Sequence, residues 1–414
     1  MAFIRIIRSG DAAAVNRLLT VDRDRSGPVE QRVAEIVARV RRAGDTALVR
    51  YARRLDKLRR PIELTMREIR DGAAQAPAPV RRAIREAARH IRSVARKQVP
   101  TGFRVTTARG VVVEQRVTPL DRVGCYVPGG RHPLPSSLLM TAIPARIAGV
   151  ADVIVACPRP EPAVLAAAVE AGVSRLFQMG GAHAIAALAY GTRTVPRVDK
   201  IVGPGNRYVA AAKALVSQDC GIDFYAGPTE ILVVTDDGPA RWIAADLIAQ
   251  AEHDLEARAI FITSNAGLAR DVAAEVERQV PVDGPARRSL EAHGGIVLTK
   301  NEAESIELAN RAAPEHLVCT RERVARAVRC AGAIFVGSHT AQVAGDYAIG
   351  SNHVLPTSGA ARYRGGLGAA DFVRLTSVQR LTAAGLASLA PTIVTLARAE
   401  GLSAHATSIE VRLK

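Results

Sequence analysis

From about residue 125 the chain alternates short apolar runs with longer segments of helical periodicity, and it does so twice. In the first series SSLLMTAIPARIAG is helical, VADVIVACP is a buried-type strand and AVLAAAVEAG is a helix. RLFQMGG is a strand ending in glycines, AHAIAALAYGT a helix, and VDKIVGPGN a strand running into a Gly-Pro-Gly turn. The helix RYVAAAKALVSQ and the strand EILVVTD close it. The second series takes helix and strand by turns through ARWIAADLIAQAEHD, AIFITSN, GLARDVAAEVERQV, GGIVLTK, NEAESIELANRA, EHLVCT, RERVARAVRCA and AIFVG. Apolar strands separated by helices of about 10–15 residues require βαβ units and parallel sheets covered on both faces. Two such series predict an α/β protein with two doubly wound, Rossmann-like parallel-sheet domains.

The flanks read differently. Residues 1–100 are mostly helical in pattern, as in GPVEQRVAEIVARVRRAGDTALVRYARRLD. From residue 103 the β-branched residues and turn signals of FRVTTARGVVVEQRVTPLDRVGCYVPGG predict strands. The tail from about residue 370 holds one helical segment, LAPTIVTLARAEG, and a last piece, TSIEVRLK, that reads as extended. It resembles an appendage that packs on something else. The resulting division is an N-terminal tail element over 1–24, a first α/β domain from 25–124 (its helical part) and 229–368, a second over 125–228, and a tail over 369–414. A chain of 414 residues is long enough for this number of cores.

Composition narrows the class. Hydrophobic content of 48% with only 4% aromatics fits Ala/Val/Ile/Leu-packed layers. No uninterrupted apolar run reaches the ~18 residues of a membrane span, and the start, MAFIRIIRSGDAAAVNRLL, carries scattered charge rather than a leader's apolar region. A cytoplasmic protein with no membrane partner is expected. The net charge of +16 is almost all Arg spread along helical segments such as VRRAIREAARHIRSVARK. Aromatics do not interleave with it and no recognition motif is present, so a nucleic-acid partner is not expected. A basic surface would favour an anionic dinucleotide. The five Cys are odd in number and form no C-x-x-C pair, as free thiols of a reducing compartment would. Cys125, beside a glycine loop, reads as a small residue ending a strand.

Candidate chemistry sits in a few short stretches. Three glycine turns follow strands, VPGGRHP, MGGAHA and GPGNRY, where open parallel sheets bind ligands. None is a G-x-G-x-x-G fingerprint, and the phosphate-loop motif is absent. In QAEH, Gln250 and His253 are three apart in a helical segment and so share a face, where an amide oxygen and an imidazole suit a metal. GDYAIGSNHVLPT (345–357) concentrates Asp346, Asn352 and His353 in a Gly-rich loop. APEHL sets Glu315 beside His316 after Pro314, and EGLSAH sets Glu400 and His405 near the end. Each stretch alone is more often an ordinary turn or helix end. Nitrogen and oxygen donors of this kind, if they meet, suit a borderline divalent cation such as Zn²⁺.

In order and spacing, GCYVPGG, PSSLLMTAIPARIAGV, MGGAHAIAALAYGT, VDKIVGPGNRYV, AGPTEILVV, DLIAQAEHD, APEHL, GDYAIGSNHVLPT and EGLSAH resemble the histidinol dehydrogenase family over nearly the whole chain. The resemblance implies a zinc-containing, NAD-dependent homodimer that oxidises L-histidinol through L-histidinal to L-histidine. It implies zinc ligands Gln250, His253, Asp346 and His405, with Thr229, Glu400 and His316 joining them on the substrate. It implies NAD contacts from Tyr126, His183 and Asn206, and a tail that reaches the partner subunit's site. In this scheme His316 is the general base and Glu315 activates water. Three departures stand out. His183 replaces the family's usual Gln, Thr229 replaces Ser, and RHPLPSS with His132 is atypical in the first glycine loop. Such changes also occur in relatives that oxidise other polar alcohols, so a different small polar alcohol is the competing substrate. A non-catalytic nucleotide- or nucleic-acid-binding protein on the same fold has only the basic charge in its favour.

Overall fold

The computed structural model describes residues 4–20, 27–129, 133–225 and 227–413. His132 lies outside the described residues. Two six-stranded sheets and one three-stranded sheet organise the chain. The first runs Ile6–Arg8, Gly295–Leu298, Arg258–Thr263, Glu230–Val234, His316–Cys319, Ala333–Val336, with every pairing parallel. The second runs Glu63–Leu64, Arg175–Phe177, Asp152–Ala156, Arg122–Tyr126, Lys200–Val202, Gly221–Ile222. It is parallel except for Glu63–Leu64, which lies antiparallel on Arg175–Phe177. The doubly wound pair expected from the sequence is therefore present.

The boundaries differ from the expected division. Residues 25–124 do not join 229–368: strands Glu63–Leu64 and Arg122–Tyr126 belong to the sheet of the 125–228 unit. The N-terminal residues are no separate element either, since Ile6–Arg8 is the edge strand of the other sheet. The physical reason lies in the helices Pro135–Ile147, Pro162–Ala171 and Gly181–Tyr190, which are apolar nearly all round. Such helices must be buried on both sides, and the N-terminal helices form the outer cover. Ala78–Gln98 packs on the first two, and Pro28–Ala43 packs on Gly181–Tyr190 and Arg207–Val216. Ala78–Gln98 buries Ile84, Ala88, Ile91 and Ala95 and turns its arginines outward. Much of the positive charge is thus a solvated helix face.

The tail is tied in by its strand Val373–Leu381, which pairs antiparallel with Val111–Pro119 and, through it, with Phe103–Ala108. The helix Ala383–Ala399 follows. The last segment is not extended: Ser403–Glu410 is a helix packed on Ala383–Ala399. Among the described residues no helix is long and apolar enough to cross a membrane. The described cysteines are all free. Burial pushes the Cys125 thiol up to about 12, which makes it a packing residue.

Candidate active site

Strands Glu230–Val234 and His316–Cys319 are neighbours, with Ile231 opposite His316. Residues at their amino ends therefore face each other, and these are Thr229, Glu230, Glu315 and His316. The helix Glu302–Ala312 stops one residue before Pro314. Its cap, Ala313, takes the left-handed conformation at φ 49°. A side chain there costs about 1–3 kcal/mol and is tolerated where surrounding structure holds it. Ala313 and Pro314 together turn the chain so that the acid–imidazole pair enters the strand buried.

One hydrogen-bond chain runs through the cluster. Gln250 Nε2 donates to Thr229 Oγ1 at 2.6 Å, and Thr229 Oγ1 donates to Glu315 Oε2 at 2.6 Å. The Glu230 amide donates to the same carboxylate oxygen at 2.9 Å. The Thr hydroxyl has a single proton, already committed to Glu315, so Gln250 must approach it with its NH₂ group. That leaves Gln250 Oε1 buried without a hydrogen-bond partner. His316 is oriented by a similar argument. Its Nδ1 lies 3.0 Å from the Glu230 carbonyl oxygen, which only accepts, so the proton sits on Nδ1. Nε2 then carries the lone pair, and it too is buried and unpartnered.

Burial sets the protonation of this cluster. It pushes Glu315 up to about 8, against the Thr229 and Glu230 hydrogen bonds that favour the carboxylate and with added repulsion from Asp346. Glu230 is pushed up to about 7 by burial, with Arg258 opposing and Glu315 reinforcing the rise. His316 is lowered by burial, only partly offset by Asp346 and Glu230, and is a neutral imidazole near pH 7.

Asp346, expected in a Gly-rich loop, lies on the short helix Gln342–Tyr347, and the loop that follows it, 348–357, carries Asn352 and His353. Asp346 accepts from Gln342 Nε2 at 2.9 Å, and its carbonyl oxygen lies 3.0 Å from His353 Nδ1. His353 is lowered by burial and by the nearby imidazoles of His316 and His253, although Asp346 pulls the other way. His253, His316 and Asp346 thus all lie within electrostatic reach of His353. The far ring nitrogen of His353 is 3.4 Å from Ser137 Oγ, and Asn352 Nδ2 donates to the Met140 carbonyl at 2.6 Å. Both partners lie on Pro135–Ile147, the helix after the first glycine turn. The loop therefore joins the acid–imidazole cleft to the other unit.

The glycine turns lie at the carboxyl ends of the second sheet. Tyr126 ends its strand buried, and its hydroxyl accepts from the Gly181 amide at 3.1 Å. His183 follows in the first turn of Gly181–Tyr190. Asn206 caps Arg207–Val216, its Oδ1 accepting from the amides of Tyr208 and Val209 at 3.1 and 3.2 Å. Among the described residues no side-chain hydrogen bond joins Asn206 to the other two, and all three lie at the carboxyl ends of this sheet, the side on which doubly wound sheets bind ligands.

The histidinol dehydrogenase family model matches residues 20–413. The chain is 46% identical to the histidinol dehydrogenase of Methylococcus capsulatus, covering 99% of this chain and 98% of that one. It is 44% identical to that of Geobacter sulfurreducens over the full length of both.

The chain belongs to the histidinol dehydrogenase family.

A solved histidinol dehydrogenase from Elizabethkingia anophelis superposes with a TM-score of 0.93 at 30% identity, covering 100% of this chain and 98% of that one. Histidinol dehydrogenases are zinc- and NAD-dependent oxidoreductases. The donor types for zinc are present in the cleft: the orphaned Gln250 oxygen, the His253 imidazole and the Asp346 carboxylate. Their arrangement corrects one expectation. Gln250 and His253 do not share a helix face, because Ala240–Ala251 ends between them; Gln250 is buried and His253 exposed. Among the described residues no three His, Cys, Asp or Glu side chains gather as a metal set within the chain. His405, expected as the fourth ligand, is exposed on the tail together with Glu400, and neither bonds to a cleft residue.

Sequence reasoning passed over Glu230, whose carbonyl orients His316, and the role of His353 in bridging the two units. Glu230 stood in the AGPTEILVV block beside Thr229, so a signal existed. For Gln342, which steadies Asp346, none did.

Proposed function

We propose that this protein oxidises L-histidinol through L-histidinal to L-histidine as a zinc- and NAD-dependent homodimer, with His316 and Glu315 in separate roles. The observation that carries this reading is the pairing of a buried, unpartnered His316 Nε2 with a hydrogen-bonded Glu315 one residue away. Membership of the family supports the substrate over a different polar alcohol.

His316 is built as a base. With Nδ1 held by the Glu230 carbonyl, Nε2 takes the hydroxyl proton of the alcohol as the carbinol carbon is oxidised. The lowered affinity of the ring for a proton keeps it in the accepting form at neutral pH. NAD, when bound, takes up the hydrogen and two electrons that leave the carbon at each oxidation. The aldehyde must then gain water. Glu315, once deprotonated, removes a proton from that water so its oxygen can bond to the carbonyl carbon. His316 accepts the hydrate's hydroxyl proton in the second oxidation. Zinc, when bound, orients the amine and imidazole of the substrate, and Gln250 Oε1, His253 and Asp346 are the residues of this cleft that would hold it.

The tail supports the dimer. Leu396, Leu402, Val411 and Leu413 are large apolar side chains exposed on its two helices and end, and a surface of this kind marks an interaction site. His405 and Glu400 lie on the same segment and reach the cleft of a second copy. The test is NADH formation by zinc-loaded protein with L-histidinol, run against a panel of other amino and acidic alcohols. Preference for another alcohol, or no NADH, overturns the reading.

A further inference from the structure

We infer that Asp56 locks His183 into one tautomer, so that position 183 meets the dinucleotide as a hydrogen-bond acceptor only. This rests on the NAD-dependent reading above and deepens it. The His183 ring is 1% exposed and lies stacked on Tyr51 with centroids 5.8 Å apart. Its Nε2 is 2.8 Å from Asp56 Oδ2, and that same oxygen accepts the Gly180 amide at 3.0 Å. An ionised carboxylate has no proton to give, so Nε2 carries the hydrogen. Nδ1 is left as a bare lone pair.

Nδ1 is also the atom with no partner. It is buried and makes no hydrogen bond. It points at the start of the helix Gly181–Tyr190, since a methyl group placed on Gly181 would stand 3.7 Å from it. The Tyr126 hydroxyl accepts the Gly181 amide at 3.1 Å. A buried acceptor beside a glycine turn and a helix N-terminus awaits a donor from a ligand. A phosphate oxygen would meet it lone pair to lone pair. The matching groups are the neutral donors of a dinucleotide, a ribose hydroxyl or an amide or amino N–H. A glutamine at this position turns either end of its amide to the ligand; this histidine presents one choice. Asp56 is then a positioning residue, acting through His183.

Calorimetric titration of the zinc-loaded protein with NAD⁺ tests this, with ¹⁵N NMR of the His183 ring as a second readout. Free protein should show Nε2 protonated and Nδ1 bare, with the Nδ1 signal moving on addition of NAD⁺. Asp56→Ala removes the acceptor that holds the hydrogen on Nε2, leaves the ring free to carry it on Nδ1, and should weaken NAD⁺ binding at least tenfold. Adding His183→Gln to Asp56→Ala should recover most of that loss, because a glutamine needs no tautomer lock. A merely structural role for Asp56, at Gly180, would give no such recovery. Asp56→Asn, whose Oδ1 still accepts from Nε2, should bind like the parent. Titration with ADP-ribose and with nicotinamide mononucleotide identifies which half supplies the donor: the half whose binding is weakened by Asp56→Ala. An Asp56→Ala protein that unfolds cooperatively and binds NAD⁺ within threefold of the parent overturns the inference, as does a free His183 protonated on Nδ1. Absence of NAD⁺ binding by the parent would overturn the functional reading as well.

Discussion

His316 Nδ1 sits 3.0 Å from the backbone carbonyl oxygen of Glu230, the residue that opens the neighbouring strand. The contact is a product of strand register, since Ile231 lies opposite His316. It fixes which ring nitrogen is the base without using any side chain. His316→Gln should therefore lower kcat by about 10²–10⁴-fold for both oxidations, the usual contribution of a positioned base. Steady-state rates with L-histidinol and with L-histidinal measure this. Loss of only one of the two rates would remove His316 from its shared role.

Thr229 links Gln250 to Glu315 and so decides which atom Gln250 offers to a cation. Thr229→Val keeps the shape and deletes the link, freeing the Gln250 amide to rotate. Zinc affinity should fall by about 10–100-fold, as expected when a ligand's supporting hydrogen bond is lost. Thr229→Ser should keep it. Competition with a chromophoric chelator gives the numbers, and equal affinity in the Val variant would refute the linkage.

Burial of two carboxyls makes stability depend on pH. Glu315 and Glu230 rise from 4.5 unfolded to about 8 and about 7 folded, so the native state binds protons more tightly. Their contribution is fully present below the unfolded value and is lost as pH rises through the folded values. His316 acts in the opposite sense: its folded affinity is lowered, so its contribution is lost as pH falls below 6.5. Metal-free protein should lose thermal stability as pH rises from about 6 to 9. Glu315→Gln should flatten that slope. An unchanged slope would show that Glu315 is not a raised carboxyl.

The exposed position of His405 makes a test of subunit sharing possible. An equal mixture of His405→Ala and His316→Ala chains should regain about a quarter of full activity after subunit exchange, because about half of the dimers are then mixed and one of the two sites in each draws both intact residues. Each variant alone should be inactive. Sites completed within one chain would give no recovery on subunit exchange.

Much of this was legible beforehand, for reasons that differ by residue. The two sheets were visible because fully buried parallel strands such as RAIFIT and EILVV leave long apolar runs. The association of the Arg-rich N-terminal helices with one sheet was not, because helical periodicity shows that a face is buried and not what buries it. The acid–imidazole pair was legible only through its resemblance to a family. Its physics needs Glu230 and Thr229 from a strand about ninety positions away, brought alongside by parallel register. The assumed helix face of Gln250 and His253 failed because the helix ends at Ala251, a boundary that periodicity locates poorly. Asp56 carried no sequence signal, since nothing in its own surroundings marks it as a partner of a histidine 127 residues on.

The division of labour between Glu315 and His316 is the central claim, and product stoichiometry tests it most directly. Zinc-loaded parent protein given limiting L-histidinol and excess NAD⁺ should yield two NADH for each histidinol, with histidine as the product. Glu315→Gln should stop near one NADH, with histidinal trapped by an aldehyde reagent, because His316 still serves the first oxidation. Two NADH per histidinol at the parent rate in Glu315→Gln would contradict the account.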